Sequence, residues 1–442
     1  MPIRQFFRQK MRFLENSFLL LFSFAIFSGQ FGNVSAQTEI EAKITKGGVK
    51  YVEALDMAVI DFTPQESGYA KRITQVIRDD LDYSLYFRVA KIDSFVLAIL
   101  GNDLFNVDGW YQLGVQYLLE GSVHIDGEKL KVEINLADVL RKKVIKTSRW
   151  ETKVEAYRAL AHTISDEVVL TFTGQKGIFS TKIAYVRREG ENKEIYVCDY
   201  DGHNPHPVTN DRSINVSPVW SPDGNKLVYT SYKRSNPDLW MVDLSTNHSS
   251  LFASYPGLNS APAWSPDGKY VAATLTRDGN PEIYLLTPQG QVVRRLTYGR
   301  AIDSSPTWSP NGKEIAFTSD RSGFPQIYIM DTEGTNLRRL TYTVDVSDSP
   351  CWSPRGDRIA FVLRDAGKLN IYTIDMTGEN LRQLTHQGFN ENPRWSPDGL
   401  HIVFGSNRSG RFEVYTMHWD GSGQRRITGE GENYNPSWSP RF

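Results

Sequence analysis

The stretch SSPTWSPNGKEIAFTSDRSGFPQIYIMDTEGTNLRRLT, residues 304–341, predicts four short β-strands joined by three tight turns. Within its second strand, Ile315, Phe317 and Ser319 alternate with Ala316 and Thr318, which is the period of two expected of a strand. The turns NG, RSGF and TEGT are rich in the residues that tight turns favour. We therefore interpret this stretch as one four-stranded antiparallel sheet.

The motif P-x-W-S-P of this stretch occurs six times. Its tryptophans are spaced by 43 or 44 residues, and we interpret them as structural core residues: Trp220, Trp264, Trp308, Trp352, Trp395 and Trp438. Four-stranded units of this length are typical of β-propeller blades. In the S-P-D-G turns that follow several of the tryptophans, proline presets φ and glycine accepts a left-handed φ, which predicts tight hairpins.

The end of the chain explains how the ring of blades closes. Residues 178–215 contain strands two to four of a unit that has no P-x-W-S-P of its own, whereas the motif around Trp438 has no strands after it. The two parts together make one blade, so the C-terminal strand is expected to pair with the strand that begins near Lys182. Closure removes the free sheet edges that would otherwise invite aggregation. We predict an all-β, six-bladed propeller with WSPDG-type repeats over residues 183–442.

The preceding residues, 51–174, lack this period and predict a small α/β domain. DMAVIDF is expected to be a buried strand, and GYAKRITQVIRDDLDYS a helix. Two further strands turn at Asp126-Gly127, and a helix runs from Lys153 to about Phe172, with Gly174 as its stop. Residues 175–182 form a short linker, so we expect the two domains to touch.

The N-terminus predicts export. Arg4, Arg8, Lys10 and Arg12 precede an apolar run at residues 18–27, and Val34-Ser35-Ala36 suits a signal peptidase. We expect residues 1–36 to be a signal peptide that is cleaved before Gln37. A membrane anchor is the alternative, but the apolar run is shorter than the roughly 20 residues that a spanning helix needs.

Composition narrows the choice of function. With 50 basic and 51 acidic residues, the chain has no basic stripe that would indicate nucleic acid, and nothing suggests insertion into a membrane. Its two cysteines, Cys198 and Cys351, fall in different blades, so we predict two free thiols.

Motifs for catalysis are absent from the sequence. There is no P-loop, no G-x-S-x-G and no H-E-x-x-H. His203 and His206 lie in a predicted turn, and we interpret them as solvated side chains rather than metal ligands. The aspartates that close the third strands are interpreted as turn formers: Asp199, Asp243, Asp331 and Asp375. We predict no catalytic residue, no cofactor and no metal site.

Several segments together resemble the TolB family of the Tol-Pal system of Gram-negative bacteria. They are the export signal, MAVIDF, AHTISDEVVLTFTGQKGIFSTKIAYV at the domain junction, CDYDGHNP, the repeated WSPDG and the terminal WSP. The resemblance covers essentially all of the mature chain. It implies a periplasmic, monomeric, non-enzymatic adaptor that supports outer-membrane integrity and cell division. Its implied partners are the peptidoglycan-associated lipoprotein Pal, the inner-membrane protein TolA and other outer-membrane proteins.

Loops that precede each P-x-W encircle one mouth of the channel and differ in sequence while the strands repeat. Loops on a rigid scaffold often carry binding, although plain solvated loops are the alternative interpretation. By resemblance, Leu258, Ala261 and Ser304 sit where the family contacts Pal, with leucine at 258 in place of an expected histidine. The full set expected to bind Pal is Leu258, Asn259, Ala261, Asp303, Ser304, Asp348, Glu391, Asn392 and Tyr434.

Residues 37–50 form a polar tail that we expect to bind TolA and to be ordered by its partner. The residues expected to contact TolA are Gln37, Thr38, Glu39, Ile40 and Ile44. We hypothesise that the tail switches between its own domain and TolA, and that Pal biases this choice.

Two other functions stay open from the residues alone. The first is a propeller-regulated peptidase, which would need a further hydrolase domain of about 200 residues. The second is a periplasmic propeller that binds peptidoglycan fragments or another small ligand in its channel, where Tyr255, Phe389 and Tyr434 would allow stacking on a sugar.

Overall fold

The computed structural model describes residues 54–101 and 105–442, together with the backbone of residues 43–44 and 50–51. The predicted signal peptide lies outside the described residues, as do Gln37, Thr38, Glu39 and Ile40 of the predicted tail. Of Ile44 only the backbone is described. It belongs to β1 (Lys43–Ile44), which pairs antiparallel with β2 (Lys50–Tyr51).

An α/β domain follows, built on a five-stranded sheet in the order β4-β3-β5-β6-β7. β3 is parallel to both of its neighbours, and the other pairs are antiparallel. The elements are β3 (Leu55–Val59), α1 (Gly68–Tyr83), β4 (Phe87–Val89), α2 (Ser94–Leu100), α3 (Val107–Gln112), β5 (Tyr117–Asp126), β6 (Lys129–Asp138), β7 (Lys143–Lys153) and α4 (Tyr157–Thr173).

The two long helices cover one face of this sheet because each has one apolar side. α1 begins after Ser67, whose side chain accepts a hydrogen bond from the backbone N–H of Ala70, and it buries Ile73 and Ile77. α4 ends at Gly174, which adopts a left-handed φ of 73°. The predicted helix start at Lys153 is wrong, because β7 continues to that residue and a short 3-10 turn at Val154–Ala156 comes before the helix.

Six four-stranded antiparallel sheets make up the propeller, which confirms the predicted fold. We name them blades 1–6. Blade 6 begins with β8 (Lys182–Glu189), β9 (Asn192–Asp199) and β10 (His206–Pro207). Blades 1 and 2 consist of β11 (Asn215–Trp220), β12 (Lys226–Arg234), β13 (Asn236–Asp243), β14 (His248–Ala253), β15 (Asn259–Trp264), β16 (Val271–Leu275), β17 (Glu282–Leu286) and β18 (Val292–Arg295).

Blades 3 to 5 repeat this arrangement with shorter fourth strands. Their strands are β19 (Asp303–Trp308), β20 (Glu314–Ser319), β21 (Gln326–Asp331), β22 (Arg338–Arg339), β23 (Ser347–Trp352), β24 (Arg358–Asp365), β25 (Lys368–Asp375), β26 (Arg382–Gln383), β27 (Asn390–Trp395), β28 (His401–Ser406), β29 (Glu413–His418) and β30 (Arg425–Arg426). The last strand, β31 (Glu432–Trp438), returns to blade 6.

Closure occurs as predicted. β31 pairs antiparallel with β8, and Trp438 lies opposite Ile183. Trp438 Nε1 donates a 2.8 Å hydrogen bond to Thr181 Oγ1, and the backbone N–H of Ser439 donates to the carbonyl of Lys182 at 2.9 Å. The first and last strands of the propeller thus share one sheet.

Three of the repeated tryptophans form hydrogen bonds to a neighbouring blade. The indole N–H of Trp220 donates to the carbonyl of Ser437, and those of Trp308 and Trp395 donate to Ala263 and Cys351. Stacked blades also bury both faces of the second strands, so the alternation seen in the sequence does not separate buried from exposed positions. Cys198 and Cys351 are buried free thiols in blades 6 and 4.

The α/β domain packs against one end of the propeller, where the first strands finish. Tyr83 Oη at the end of α1 donates to Thr416 Oγ1 at 2.9 Å, and the Asp166 carboxylate on α4 accepts from the backbone N–H groups of Phe179 and Ser180. A continuous apolar cluster runs from both helices to Trp438. None of the helices in the described part of the chain has the length and hydropathy needed to cross a membrane.

Candidate functional site

The mouth of the propeller channel lies at the opposite end of the blades from the α/β domain. Each first strand begins here, after a loop from the fourth strand of the preceding blade. The turns between second and third strands lie at the same end, because neighbouring strands are antiparallel. A six-residue first strand spans about 20 Å, so the mouth and the domain junction are two separate surfaces.

Every first strand carries a β-bulge one residue before its proline. In blade 3 the register shifts between Ser304 and Thr307, and Ser305 has a left-handed φ of 54°. The equivalent residues share this backbone conformation: Ser217, Ala261, Ser349, Asn392 and Asn435. A left-handed residue other than glycine costs about 1–2 kcal/mol. Because all six blades share the bulge, it is a property of the fold that re-aims the side chains lining the mouth.

Buried polar side chains hold the mouth loops in place. Between blades 5 and 6, Thr428 Oγ1 and Asn433 Nδ2 both donate to Glu413 Oε2, at 2.6 and 2.8 Å. Thr428 Oγ1 also accepts from the backbone N–H of Val414. The same three-way contact joins blades 6 and 1 through Thr209, Glu194 and Asn215. In the network between blades 5 and 6, Asn433 Oδ1 also accepts a hydrogen bond from Arg187, and satisfied buried networks rigidify the loops that they connect.

The structure brings the residues predicted to bind Pal together around the mouth. Seven of the nine are partly exposed: Leu258, Ala261, Ser304, Asp348, Glu391, Asn392 and Tyr434. The other two, Asn259 and Asp303, are buried. Asn259 Nδ2 donates to the carbonyls of Tyr255 and Gly257, and Asp303 accepts two hydrogen bonds from Arg321 Nη2. Burial indicates that these two shape the loops from within.

Large apolar side chains are exposed around the mouth. Val344 is 97% exposed and Tyr342 is 74% exposed, both in the loop that leads into β23. Others lie on neighbouring loops or at the ends of the second strands: Ile214, Tyr232, Tyr298, Ile302, Phe324 and Phe389. Clustered exposed apolar side chains mark interaction surfaces. We call these eight residues the apolar rim.

Most of the apolar rim was missed in the sequence, where only Phe389 was singled out for its chemistry. The available signal was an apolar residue inside a loop, next to turn-forming residues and outside any strand alternation. Tyr342, Val344 and Ile302 all fit that description. The other aromatics expected near the mouth, Tyr255 and Tyr434, are partly buried and hydrogen-bonded.

Blades 4 and 5 add negative charge. Asp348 and Glu391 occupy the same position in the first strands of these neighbouring blades. Burial raises the pKa of Glu391, while the charge of Lys193 opposes that shift. Asp348 Oδ1 accepts a 2.8 Å hydrogen bond from Thr318 Oγ1. Burial followed by the hydrogen bond to Glu432 raises the pKa of Tyr434 to about 12, so this phenol stays neutral.

Comparison with known families agrees with the observed fold of an α/β region followed by a propeller. The profile described as "TolB beta propeller domain" matches residues 169–349 and 344–442, and that described as "TolB amino-terminal domain" matches residues 40–145.

Individual relatives agree with these profiles. A protein of Geobacter sulfurreducens, named Tol-Pal system protein TolB, is 44% identical over 123 residues, which cover 28% of each chain. A protein of Methylobacillus flagellatus with the same name is 32% identical over 221 residues, 49% of each chain. The alignments thus span half or less of these relatives. The crystal structure of TolB from Acinetobacter baumannii superposes with a TM-score of 0.76 at 29% identity, covering 88% of this chain and 97% of that one.

Proposed function

This chain belongs to the TolB family of the Tol-Pal system, and on that premise we propose that it is a non-enzymatic periplasmic adaptor. It binds Pal at the propeller mouth and TolA through its N-terminal tail, and it supports outer-membrane integrity and cell division. The apolar rim supports this proposal most, because it gives the mouth the exposed apolar surface that a protein partner covers.

Asp348 and Glu391, which we call the acidic pair, lie at the mouth with the apolar rim. Together they indicate which kind of surface on Pal would bind there. Apolar side chains of Pal cover Ile302, Tyr342 and Val344, and a basic side chain meets Asp348 and Glu391. The buried polar network keeps the mouth in its binding shape, so little ordering free energy is lost on association.

Calorimetry with the soluble domain of Pal tests the mouth. We expect the double variant Ile302→Ser/Val344→Ser to bind at least tenfold more weakly than the parent chain. Leu337→Ser is the control, since Leu337 in blade 3 is exposed to nearly the same extent as Ile302 but lies at the other end of the blade. Its affinity should stay within twofold. A parent affinity weaker than about millimolar, roughly 4 kcal/mol, would contradict the proposal.

Salt dependence tests the acidic pair. Glu391→Gln should weaken Pal binding and flatten its dependence on ionic strength, because the attraction to a basic side chain is lost. Glu379→Gln is the control, since Glu379 is exposed at the opposite end of blade 4. Equal salt dependence in the two variants would remove the acidic pair from the binding surface.

A deletion tests whether the N-terminal tail binds TolA. Deleting residues 37–46 should abolish TolA binding while Pal binding persists. TolA binding that survives this deletion would refute the role of the tail.

Titration with muropeptides tests the alternative of a ligand-binding propeller. It should leave the melting temperature of the protein unchanged, whereas a saturable increase would favour that alternative.

A further inference from the structure

A charged cavity lies at the domain junction, far from the mouth. It has a volume of about 450 Å³ and is bounded by α1, α4, the turn after β9 and the start of β30. Acidic side chains line it together with two arginines, Arg158 and Arg425, and with His203. The proposed binding of Pal and TolA uses none of these residues.

His162 on α4 sits beside this cavity and is buried, with its side chain 3% exposed. Its Nδ1 lies 2.9 Å from Asp80 Oδ2, and Asp80 Oδ1 accepts a 2.6 Å hydrogen bond from Tyr200 Oη. Because a carboxylate only accepts hydrogen bonds, Nδ1 carries the proton in this contact. The other ring nitrogen, Nε2, has no hydrogen-bond partner among the described residues.

Nε2 of His162 instead lies 3.6 Å from Asp201 Oδ2. A neutral imidazole would turn a lone pair toward a carboxylate oxygen here, which is unfavourable in a buried site. Either a proton on Nε2 or a cation between the two groups removes that repulsion. Burial opposes protonation of His162, but the charge and hydrogen bond of Asp80 and the charge of Asp201 outweigh it and raise its pKa.

The surrounding groups have the composition of a metal site. Ligand atoms of His162, Asp199 and Asp201 all lie within 4.8 Å of one another. Zn²⁺ binds histidine nitrogen and carboxylate oxygen at about 2.0–2.2 Å, so small side-chain movements would bring the three onto one ion. The contact of His162 with Asp80 is the carboxylate–histidine pairing that orients metal-bound histidines. His203 lies outside this group of three, but its Nδ1 is 3.2 Å from Asp201 Oδ1 and its side chain is exposed, so a side-chain rotation would bring it to the ion as a fourth ligand.

Two basic side chains compete with an ion for this position. Arg158 pairs with Asp201, and Lys182 pairs with Asp199. Burial raises the pKa of Asp79, on α1, and the charge of nearby Arg158 opposes that shift. An ion that takes Asp201 therefore leaves Arg158 a second carboxylate within the same cavity.

We propose that His162, Asp199, Asp201 and His203 bind one divalent cation of the zinc type and so fasten α4 to blade 6. This differs from the interpretation of His203 in the sequence as a solvated turn residue, because sequence reasoning had no means of placing His162 beside it. The bound ion adds a further link to the contacts that already join the two domains.

Calorimetric titration of untagged, chelator-treated mature chain with ZnCl₂ tests the site. We expect saturable binding of one ion per chain, a higher melting temperature with Zn²⁺, and no comparable effect of Mg²⁺, which prefers oxygen ligands. Binding should weaken as the pH falls, because the ion displaces the proton from His162. The absence of saturable Zn²⁺ binding would overturn the proposal.

Two histidine variants separate this site from adventitious binding. His203→Ala should reduce Zn²⁺ affinity at least tenfold. His206→Ala, which removes an exposed histidine at the start of β10, should not. Arg158→Gln should tighten binding, because it removes the competitor of the ion for Asp201. Equal affinity in the two histidine variants would contradict the assigned ligands. These measurements involve neither Pal nor TolA, so their outcome is independent of the proposed function.

Discussion

The two ends of the propeller are built from the same repeated strands and differ in what they do with polar and apolar side chains. At the mouth, apolar side chains such as Tyr342 and Val344 are exposed above a buried polar network. At the domain junction, His162 and Asp80 are buried against each other, and the partly buried Asp201 lies beside them. One repeat therefore supplies a surface suited to a partner at one end and a fixed internal contact at the other.

Replacing Trp438 should have the largest effect on stability, because this side chain closes the ring and joins the cluster under the α/β domain. Trp438→Ala is expected to lower the free energy of unfolding by about 3–5 kcal/mol in denaturant titration. The control is Phe324→Ala, an exposed aromatic at the mouth, which should change it by about 0.5 kcal/mol or less. If both variants lose a similar free energy of unfolding, the buried junction end would be no more important for stability than the exposed mouth.

Asp80→Ala should come next. It removes a buried carboxylate and leaves His162 Nδ1 and Tyr200 Oη without their partner, at a cost of about 3 kcal/mol. Asp82→Ala is its control on the same helix, since Asp82 is exposed. Thermal unfolding of chelator-treated protein measures both. Equal melting temperatures would show that the junction contact contributes no net stability.

The acid sensitivity of the junction is a smaller effect. Burial, followed by the charge of His401, lowers the pKa of His418 to about 4, so the folded state favours the neutral imidazole. Stability is then lost as the pH falls from about 6.5 toward 4, by about 1 kcal/mol after allowance for partial exposure. His162 acts in the opposite sense, because its raised pKa adds stability at low pH that is lost as the pH rises through that value.

Matched variants separate these two contributions. His418→Gln should lose less stability on acidification than the parent chain, and His386→Gln, which removes an exposed histidine at the mouth, should follow the parent. Urea titrations over this pH range compare the three chains. If His418→Gln shows the same loss as the parent, another group causes it.

The smallest effect on stability is expected at the apolar rim. Tyr342→Ser should change the free energy of unfolding by about 0.5 kcal/mol or less, because its ring is largely in solvent. A loss above about 2 kcal/mol in denaturant titration would show that the rim is structural, which would weaken its proposed role in binding.

The propeller was predictable because its repeat is visible in the amino-acid sequence. Six tryptophans at nearly equal spacing fix the number of blades, and the unpaired motif at Trp438 indicates how they close. The edge strand β7 was missed because its side chains are exposed or only partly buried and show no apolar pattern. The start of α4 was placed too early because the end of β7, at Lys153, has no apolar pattern that marks it as a strand.

The junction cluster was not predictable, because its members come from separate parts of the chain. His162 and Asp80 are 82 residues apart, and Tyr200 and Asp80 are 120 residues apart. Each residue alone fits an ordinary helix or turn. Only the packing of α1 and α4 on blade 6 gives them a common environment, and periodicity carries no information about that packing.

Joining the first and last strands in one sheet also sets an order of events during biosynthesis. Trp438 and its partner Thr181 are 257 residues apart, so the ring stays open until nearly the whole polypeptide has been made. Tyr434 and Asn435 belong to the same final strand and to the mouth. A nascent or truncated chain therefore lacks part of the mouth, so the docking surface that we propose is complete only in the finished molecule.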